Sequence, residues 1–410
     1  MLLGHIFSSA NENGEASASF DGKLDELVNR EIVSYQDMFN RFNIKDNVEE
    51  QSLGYTTIAL YSPICHLPQV IGILIARALK MNLEFQCYFS RISNFLIAVF
   101  ILFFAIRYIP LKKECLVFLS LLPITFNELA SMSADAITIS SIAFFISYVM
   151  YLKFDSEKQM INKKDIIILT IFSIIVSQCK IVYLPLCLLL LIIPKNKFET
   201  SRKRNTIIFT IIGVSIFLNL LWLIYCRRFL AEFNAGVDGS LQIKYILTHP
   251  IEYVLIVFRT INTYFQYNVL CLCGEGLGSY NVQASVIYVI MCIVYYSFFI
   301  FVNYDKEIKI DLLSRIICVI VFISIVALIY TSIYMQWNPV KNVRVEGVQG
   351  RYFLPIILLT AFVIHNDSIK FEGKFDNKYL FIFMLFMNLN VITSILYTYI
   401  YASPLNFYVK

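Results

Sequence analysis

Apolar runs separated by short polar loops recur from residue 57 to residue 402, and the runs are of two kinds. Ten are continuous enough to be read as membrane-spanning helices: 91–110, 114–129, 134–152, 165–178, 180–194, 205–226, 283–303, 312–335, 351–365 and 378–402. A bilayer core of about 30 Å needs about 20 helical residues, and several of these runs fall short of that. Two more runs, 57–79 and 250–268, are interrupted, the first by Pro63, His66, Pro68 and Gln69, the second by Glu252, Arg259, Asn262 and Gln266. Residues of this kind break a helix or need polar company, which suits outer interfacial or re-entrant helices better than lipid-facing spans. The pattern predicts an all-α integral membrane protein, a polytopic bundle of about ten spanning helices with outer interfacial helices. A polar, loop-like region, 1–56, precedes a single membrane domain, 57–410, with outer loops near 127–134, 227–282 and 336–350.

Charge selects the orientation. With both interrupted runs kept at the interface, "LKKE" at 111, "KFDSEKQMINKK" at 153, "KNKFETSRKR" at 195, "DKEIK" at 305 and "KFEGKFDNK" at 370 all fall on one side. The positive-inside rule makes that side the cytoplasm. If 250–268 spanned instead, Lys370, Lys374 and Lys378 would lie outside.

Composition agrees: of 410 residues 58% are hydrophobic and 15% charged, with a mean hydropathy of +0.67, which excludes a soluble enzyme on a single anchor. The net charge of +5, spread over loops, fits membrane orientation and gives no sign of nucleic-acid binding. The opening "MLLGHIFSSANENGEASASF" has neither the positive leader nor the apolar core of a signal peptide. Most of the ten cysteines lie in apolar runs and read as small hydrophobes, and only Cys271 and Cys273 share a polar stretch. His5, His66, His249 and His365 show no metal-ligand spacing. "CGEGLGSYN" lacks the Lys-Ser/Thr of a phosphate loop, and the serine-hydrolase and zinc-protease signatures do not occur.

The polar residues of the outer side are the candidates for chemistry, because an ionisable group near hydrocarbon is costly. Glu128 and Asp135 are seven apart and would share a face of one helix. Such a pair can act as a general base on a sugar hydroxyl or hold a divalent cation; the plainer alternative is a Ser133 cap, an Asp135 favouring the helix N-terminus and a solvated Glu128. Lys180 interrupts about thirty apolar residues, as a phosphate ligand or as a snorkelling lysine. Arg227 and Arg228 end a long helix and read as interface anchors. The best-defined cluster is "VEGVQGRYFLP", where Arg344 and Arg351 flank Glu346 and Gln349, with Gly347 and Gly350 permitting tight turns. Guanidinium groups bind phosphate oxygens in bidentate fashion, which suits a lipid phosphate.

"GYTTIALYSPICHLPQVIGILIARAL", "SRISNFLIAVF", "ELASMSADAITISSIAFFISY", "CKIVYLPLCLLLLIIPKNKF" and "VEGVQGRYFLPIILL" occur in the order and spacing of the bacterial membrane-protein family called domain of unknown function 2142. The chain resembles that family over about residues 50–370, most specifically in "QGRYFLP" and the "SADA" loop. The family is usually grouped with the GT-C glycosyltransferases, and the resemblance implies outer loops and interfacial helices around an active site. It also implies a carboxylate base, a second acidic site matched by Asp135, and phosphate-binding roles for Lys180 and Arg351. Family members begin with a further membrane helix and an Asp-Glu and His-type motif that this sequence does not contain. Asp21, Asp25, Glu26, Glu31 and Asp37 match no motif of that kind.

The expected function is transfer of a sugar from a polyprenyl-phosphate donor to a cell-surface glycan acceptor at a bacterial plasma membrane. Asp135 and Glu128 would be catalytic, and Arg351, Arg344, Lys180 and Gln349 would bind the lipid phosphate. No cofactor is certain, with Mg or Mn as the candidate cation. The rival readings are a transporter or flippase for a lipid-linked sugar and a non-catalytic partner in polysaccharide assembly.

Overall fold

The computed structural model describes residues 15–20, 49–54, 61–226, 236–274, 277, 286–301, 308–366 and 377–397. In the first of these, β1 (Glu15–Phe20) pairs antiparallel with β2 (Glu49–Gly54), Glu15 opposite Gly54 and Phe20 opposite Glu49. Residues 15–20 and 49–54, expected as loop, thus form a two-stranded sheet, and the rest of the described chain is helical as expected. "EASASF" alternates polar with apolar residues at the two-residue period of a strand.

The rest is helical. A 3-10 turn, Pro63–His66, leads into α1 (Leu67–Ala78), followed by α2 (Leu83–Tyr108), α3 (Lys113–Ser120), α4 (Pro123–Leu129), α5 (Asp135–Phe154) and α6 (Lys163–Cys179). A 3-10 segment, Ile181–Ile192, precedes α7 (Ser201–Cys226), α8 (Gly239–Thr248), α9 (Pro250–Cys273), α10 (Val286–Phe301) and α11 (Leu312–Trp337). A second 3-10 segment, Gly350–Ile356, opens α12 (Leu358–Ile364), and α13 (Asn377–Leu396) ends the described chain.

Among the described residues, five helices are long and apolar enough to cross a membrane: α2, α5, α7, α11 and α13. The number is six if α8 and α9, bent by 108° at His249, form one broken span. The remaining runs expected to span are helical but short or broken. Run 114–129 splits into α3 and α4 because Pro123 has no N–H to continue a helix and takes a first-turn position instead. Pro185 and Pro355 likewise sit inside the two 3-10 segments. A 3-10 helix rises about 2.0 Å per residue, so the twelve residues Ile181–Ile192 reach about 24 Å.

α5 is the hub. It is apolar on all sides, 83% of its central window is buried, and it packs against α2, α4, α6 and both long 3-10 segments. Three of its interior hydroxyls are satisfied locally: Thr138 donates to Ala134 (2.8 Å), Ser140 to Ala136 (2.8 Å) and Ser147 to Ala143 (2.7 Å). Small residues and such back-bonded hydroxyls allow close helix approach where lipid removes the hydrophobic drive. α2, α7, α11 and α13 instead present exposed Phe100, Ile224, Ile323 and Phe381, the apolar outer surface of the bundle.

α1 is only twelve residues long and lies along α2 through Gly72, where an added Cβ would stand 2.2 Å from the Phe89 carbonyl oxygen. Gly72→Ala is therefore expected to push α1 off α2 and destabilise the protein by about 1–3 kcal/mol, read as a lower melting temperature in detergent.

α9 touches Thr331 through Tyr253 (2.6 Å), Val345 through Thr260 (2.9 Å) and Gly350 at Asn268. These partners belong to the last turns of α11, the loop beyond it and the start of the second 3-10 segment, so α9 lies across that end of the bundle.

Candidate functional site

The five residues between α4 and α5 are held by side chains from neighbouring helices. Arg91 donates to the Ala130 carbonyl (3.0 Å), Asn94 to Ser131 (2.8 Å) and Gln69 to Ser133 (2.7 Å). The Asp135 N–H donates to the Ser133 hydroxyl at 3.2 Å, but the residue in the N-cap position of α5 is Ala134, not Ser133. Glu128 and Asp135 therefore do not share one continuous helix, contrary to the spacing argument. Carbonyls that would have continued the helix are taken by side chains, and beyond the break each carboxylate meets a cation.

Two cations meet them there. Lys180, the residue before the first long 3-10 segment, pairs with Asp135. Arg351, in the first turn of the second, places Nη1 3.1 Å from Oε1 and 3.4 Å from Oε2 of Glu128. The Tyr352 ring stands against both cations, 5.2 Å from Lys180 Nζ and 5.7 Å from Arg351 Cζ, and Tyr61 lies 5.5 Å from Lys180. Tyr183 fixes the Tyr352 backbone by donating to its carbonyl at 2.8 Å. Side-chain exposure is 3% for Glu128, 12% for Lys180, 15% for Asp135 and 34% for Arg351. Burial, and then the negative charge of Asp135, push the Glu128 carboxyl above its usual range, with Arg351 opposing them.

The structure thus brings together Glu128, Asp135, Lys180 and Arg351, which are far apart in sequence. Lys180 is buried and paired, so it is not a snorkelling lysine. Glu128 is not a solvated bystander either. Arg344 is exposed on its loop, and no ion pair or hydrogen bond joins it to the four charges. Gln349 precedes the 3-10 turn, its carbonyl accepting from the Tyr352 N–H at 3.0 Å. Glu346 is exposed and is held through its backbone by Asn338. Gly347 does adopt a positive φ of 92°, whereas Gly350 is needed for close approach to α9 and not for a turn. Tyr61, Tyr352 and Asn94 were not singled out from sequence, though Tyr352 had a signal in its place within "QGRYFLP"; Gln69, read there as needing polar company, finds it in the Ser133 carbonyl. Arg227, Arg228, Asp21, Asp25, Glu26, Glu31, Asp37 and most of "CGEGLGSYN" lie outside the described residues.

Among the described residues no group of three or more His, Cys, Asp or Glu could hold a metal ion. The two carboxylates present are each engaged by a cation.

The opposite end of α5 has a different character. Lys153 pairs there with Asp311, Lys158 with Asp165 (2.8 Å), Lys197 donates to the Asp155 carbonyl (2.9 Å) and Arg204 to Ile193 (2.8 Å). The described basic loops at 153, 195 and 308–315 therefore converge on one end of the bundle and the four-charge cluster occupies the other.

No curated protein and no solved structure matches the chain. The family model described as "Predicted membrane protein (DUF2142)" matches residues 25–360, a stretch that includes all four clustered charges, and the chain belongs to that family.

Proposed function

We propose that the protein is a GT-C-like glycosyltransferase that moves a sugar from a polyprenyl-phosphate donor to a surface-glycan acceptor on the extracytoplasmic face of a bacterial plasma membrane. The observation that carries this reading is the buried set of two carboxylates and two cations around Tyr352, at the end of α5 away from the basic loops. By the positive-inside rule the basic end is cytoplasmic and the cluster faces outward. The GT-C grouping of the resemblance supplies the reaction class.

In the proposed reaction an acceptor hydroxyl oxygen attacks the anomeric carbon, and the bond from that carbon to the donor phosphate oxygen breaks. The electron pair of the broken bond stays on the phosphate, where Arg351 and Lys180 stabilise it. The hydroxyl proton goes to Glu128, whose raised pKa makes it the better base of the two carboxylates. Asp135 holds Lys180 in place. A transporter would be expected to carry charges through the middle of its core, yet α5 has none between Asp135 and Lys153.

Glu128→Gln, Arg351→Ala and Asp135→Ala are expected to cut transfer by about 100-fold or more, read as loss of the modification from surface glycan. Wild-type transfer rises with pH through the Glu128 pKa, because only the ionised carboxylate can accept the proton. Unchanged glycan composition in all three variants, expressed at wild-type level, would refute the proposal.

A further inference from the structure

Resting on the phosphate-binding reading above, the geometry points to proton-coupled binding: the site takes up a phosphate monoester together with a proton, and Glu128 holds that proton. Glu128, Asp135, Lys180 and Arg351 sum to zero charge before any anion arrives. Three of them are largely shielded from water, so a surplus charge among them is weakly screened. A phosphate that draws on both cations therefore weakens the hold of at least one of them on its carboxylate.

Arg351 is the one placed to loosen its hold. It is the most exposed of the four, it holds Glu128 through Nη1, and its buried Nε has no hydrogen-bond partner. Its remaining donors are suited to a second oxyanion. Lys180 is pinned between Tyr61 and Tyr352 and paired with Asp135.

Once Arg351 turns to phosphate, Glu128 keeps the Asn127 side-chain amide at 3.3 Å and the nearby negative charge of Asp135. Among the described residues, the other elements packed on α4 offer no compensating cation. Arg91 of α2 is turned to the Ala130 carbonyl, and α9 contributes the buried thiols Cys271 and Cys273. The described part of α13 beyond Lys378 has no charged residue, and Lys113 and Glu114 stand at the start of α3, away from α4. Tyr352 is the remaining titratable neighbour, on the Arg351 side. A buried carboxylate in that setting binds a proton. In the transfer reaction the acceptor hydroxyl supplies it, so the developing phosphate charge and the protonation of Glu128 offset each other.

The test is isothermal titration of the full chain in detergent with a short-chain polyprenyl monophosphate, at mildly alkaline pH, in two buffers of different ionisation enthalpy. The expected result is uptake of about one proton per phosphate and an affinity that falls about tenfold per pH unit. Glu128→Gln is expected to bind with no proton uptake and no such pH slope. Wild-type binding without net uptake overturns the inference, as does uptake that persists in Glu128→Gln, which would put the proton on the ligand. The wild-type proton count decides the matter alone should the variant not fold. Absence of binding at every pH is a different failure, that of the phosphate reading itself. Inorganic phosphate forms the second arm: weaker binding than the lipid supports a lipid headgroup as the ligand, and equal affinity overturns that assignment.

Discussion

Arg351→Ala is expected to destabilise the detergent-solubilised protein by about 2 kcal/mol, and adding Glu128→Gln is expected to restore most of the loss. Removing one member of a buried ion pair commonly costs about 3–5 kcal/mol because the other charge is left uncompensated, and the smaller figure allows for solvent reaching Arg351. Glu128 is 3% exposed and Arg351 34%, so the penalty falls on the carboxylate. Neutralising Glu128 removes the reason for the penalty, which separates a charge effect from lost packing of the arginine stem against Tyr352. Arg351→Lys is expected to recover only part, since an ammonium keeps the charge that Nη1 brings to Glu128 but loses the planar guanidinium that stands 5.7 Å from the Tyr352 ring centre. Thermal melts of the four proteins decide it: a double variant less stable than Arg351→Ala would mean that packing, not charge, dominates.

Much of the fold could be read from the apolar runs, because a membrane demands length and hydrophobicity in contiguous stretches. The run at 134–152 becomes α5 and that at 312–335 becomes α11, each within two residues of the expected ends. The count of ten spans was less legible. Apolarity marks where chain is buried but not whether it runs straight, and Pro123, Pro185 and Pro355 break or tighten three of the runs. The site shows the same division. Arg351, Lys180, Asp135 and Glu128 stood out as ionisable groups near hydrocarbon, yet their partners did not. Lys180 meets Asp135 across 45 residues and Arg351 meets Glu128 across 223, distances over which no local pattern operates. The helical-face argument for the carboxylates failed because Gln69, Arg91 and Asn94, on other helices, draw off the backbone carbonyls of the intervening turn. Arg344 looked equivalent to Arg351 in sequence, and only the fold distinguishes an exposed loop position from a 3-10 turn packed on α9.

That packing makes Gly350→Ala the substitution with the largest expected effect on the site. A Cβ at position 350 would stand 2.1 Å from the Asn268 carbonyl oxygen and 3.0 Å from both the Asn268 carbonyl carbon and the Cys271 Cβ. The obstruction is backbone of a long helix and cannot rotate away, so the 3-10 turn must move instead. Overpacking of this kind costs about 1–3 kcal/mol or more. Arg351 is the next residue, and a shift of about 1 Å breaks the Glu128 contact, which is already at 3.1 Å. The expected outcome is a lower melting temperature together with a loss of polyprenyl-phosphate affinity, although no charge has been altered. Gly213→Ala on α7 is the matched control, because nothing lies within 4 Å of its added Cβ. There the helix should gain about 0.5–1 kcal/mol with phosphate binding unchanged. Equal stability and equal phosphate affinity of Gly350→Ala and wild type would show that α9 and the 3-10 turn do not meet as described, and with it that Arg351 is not positioned from α9.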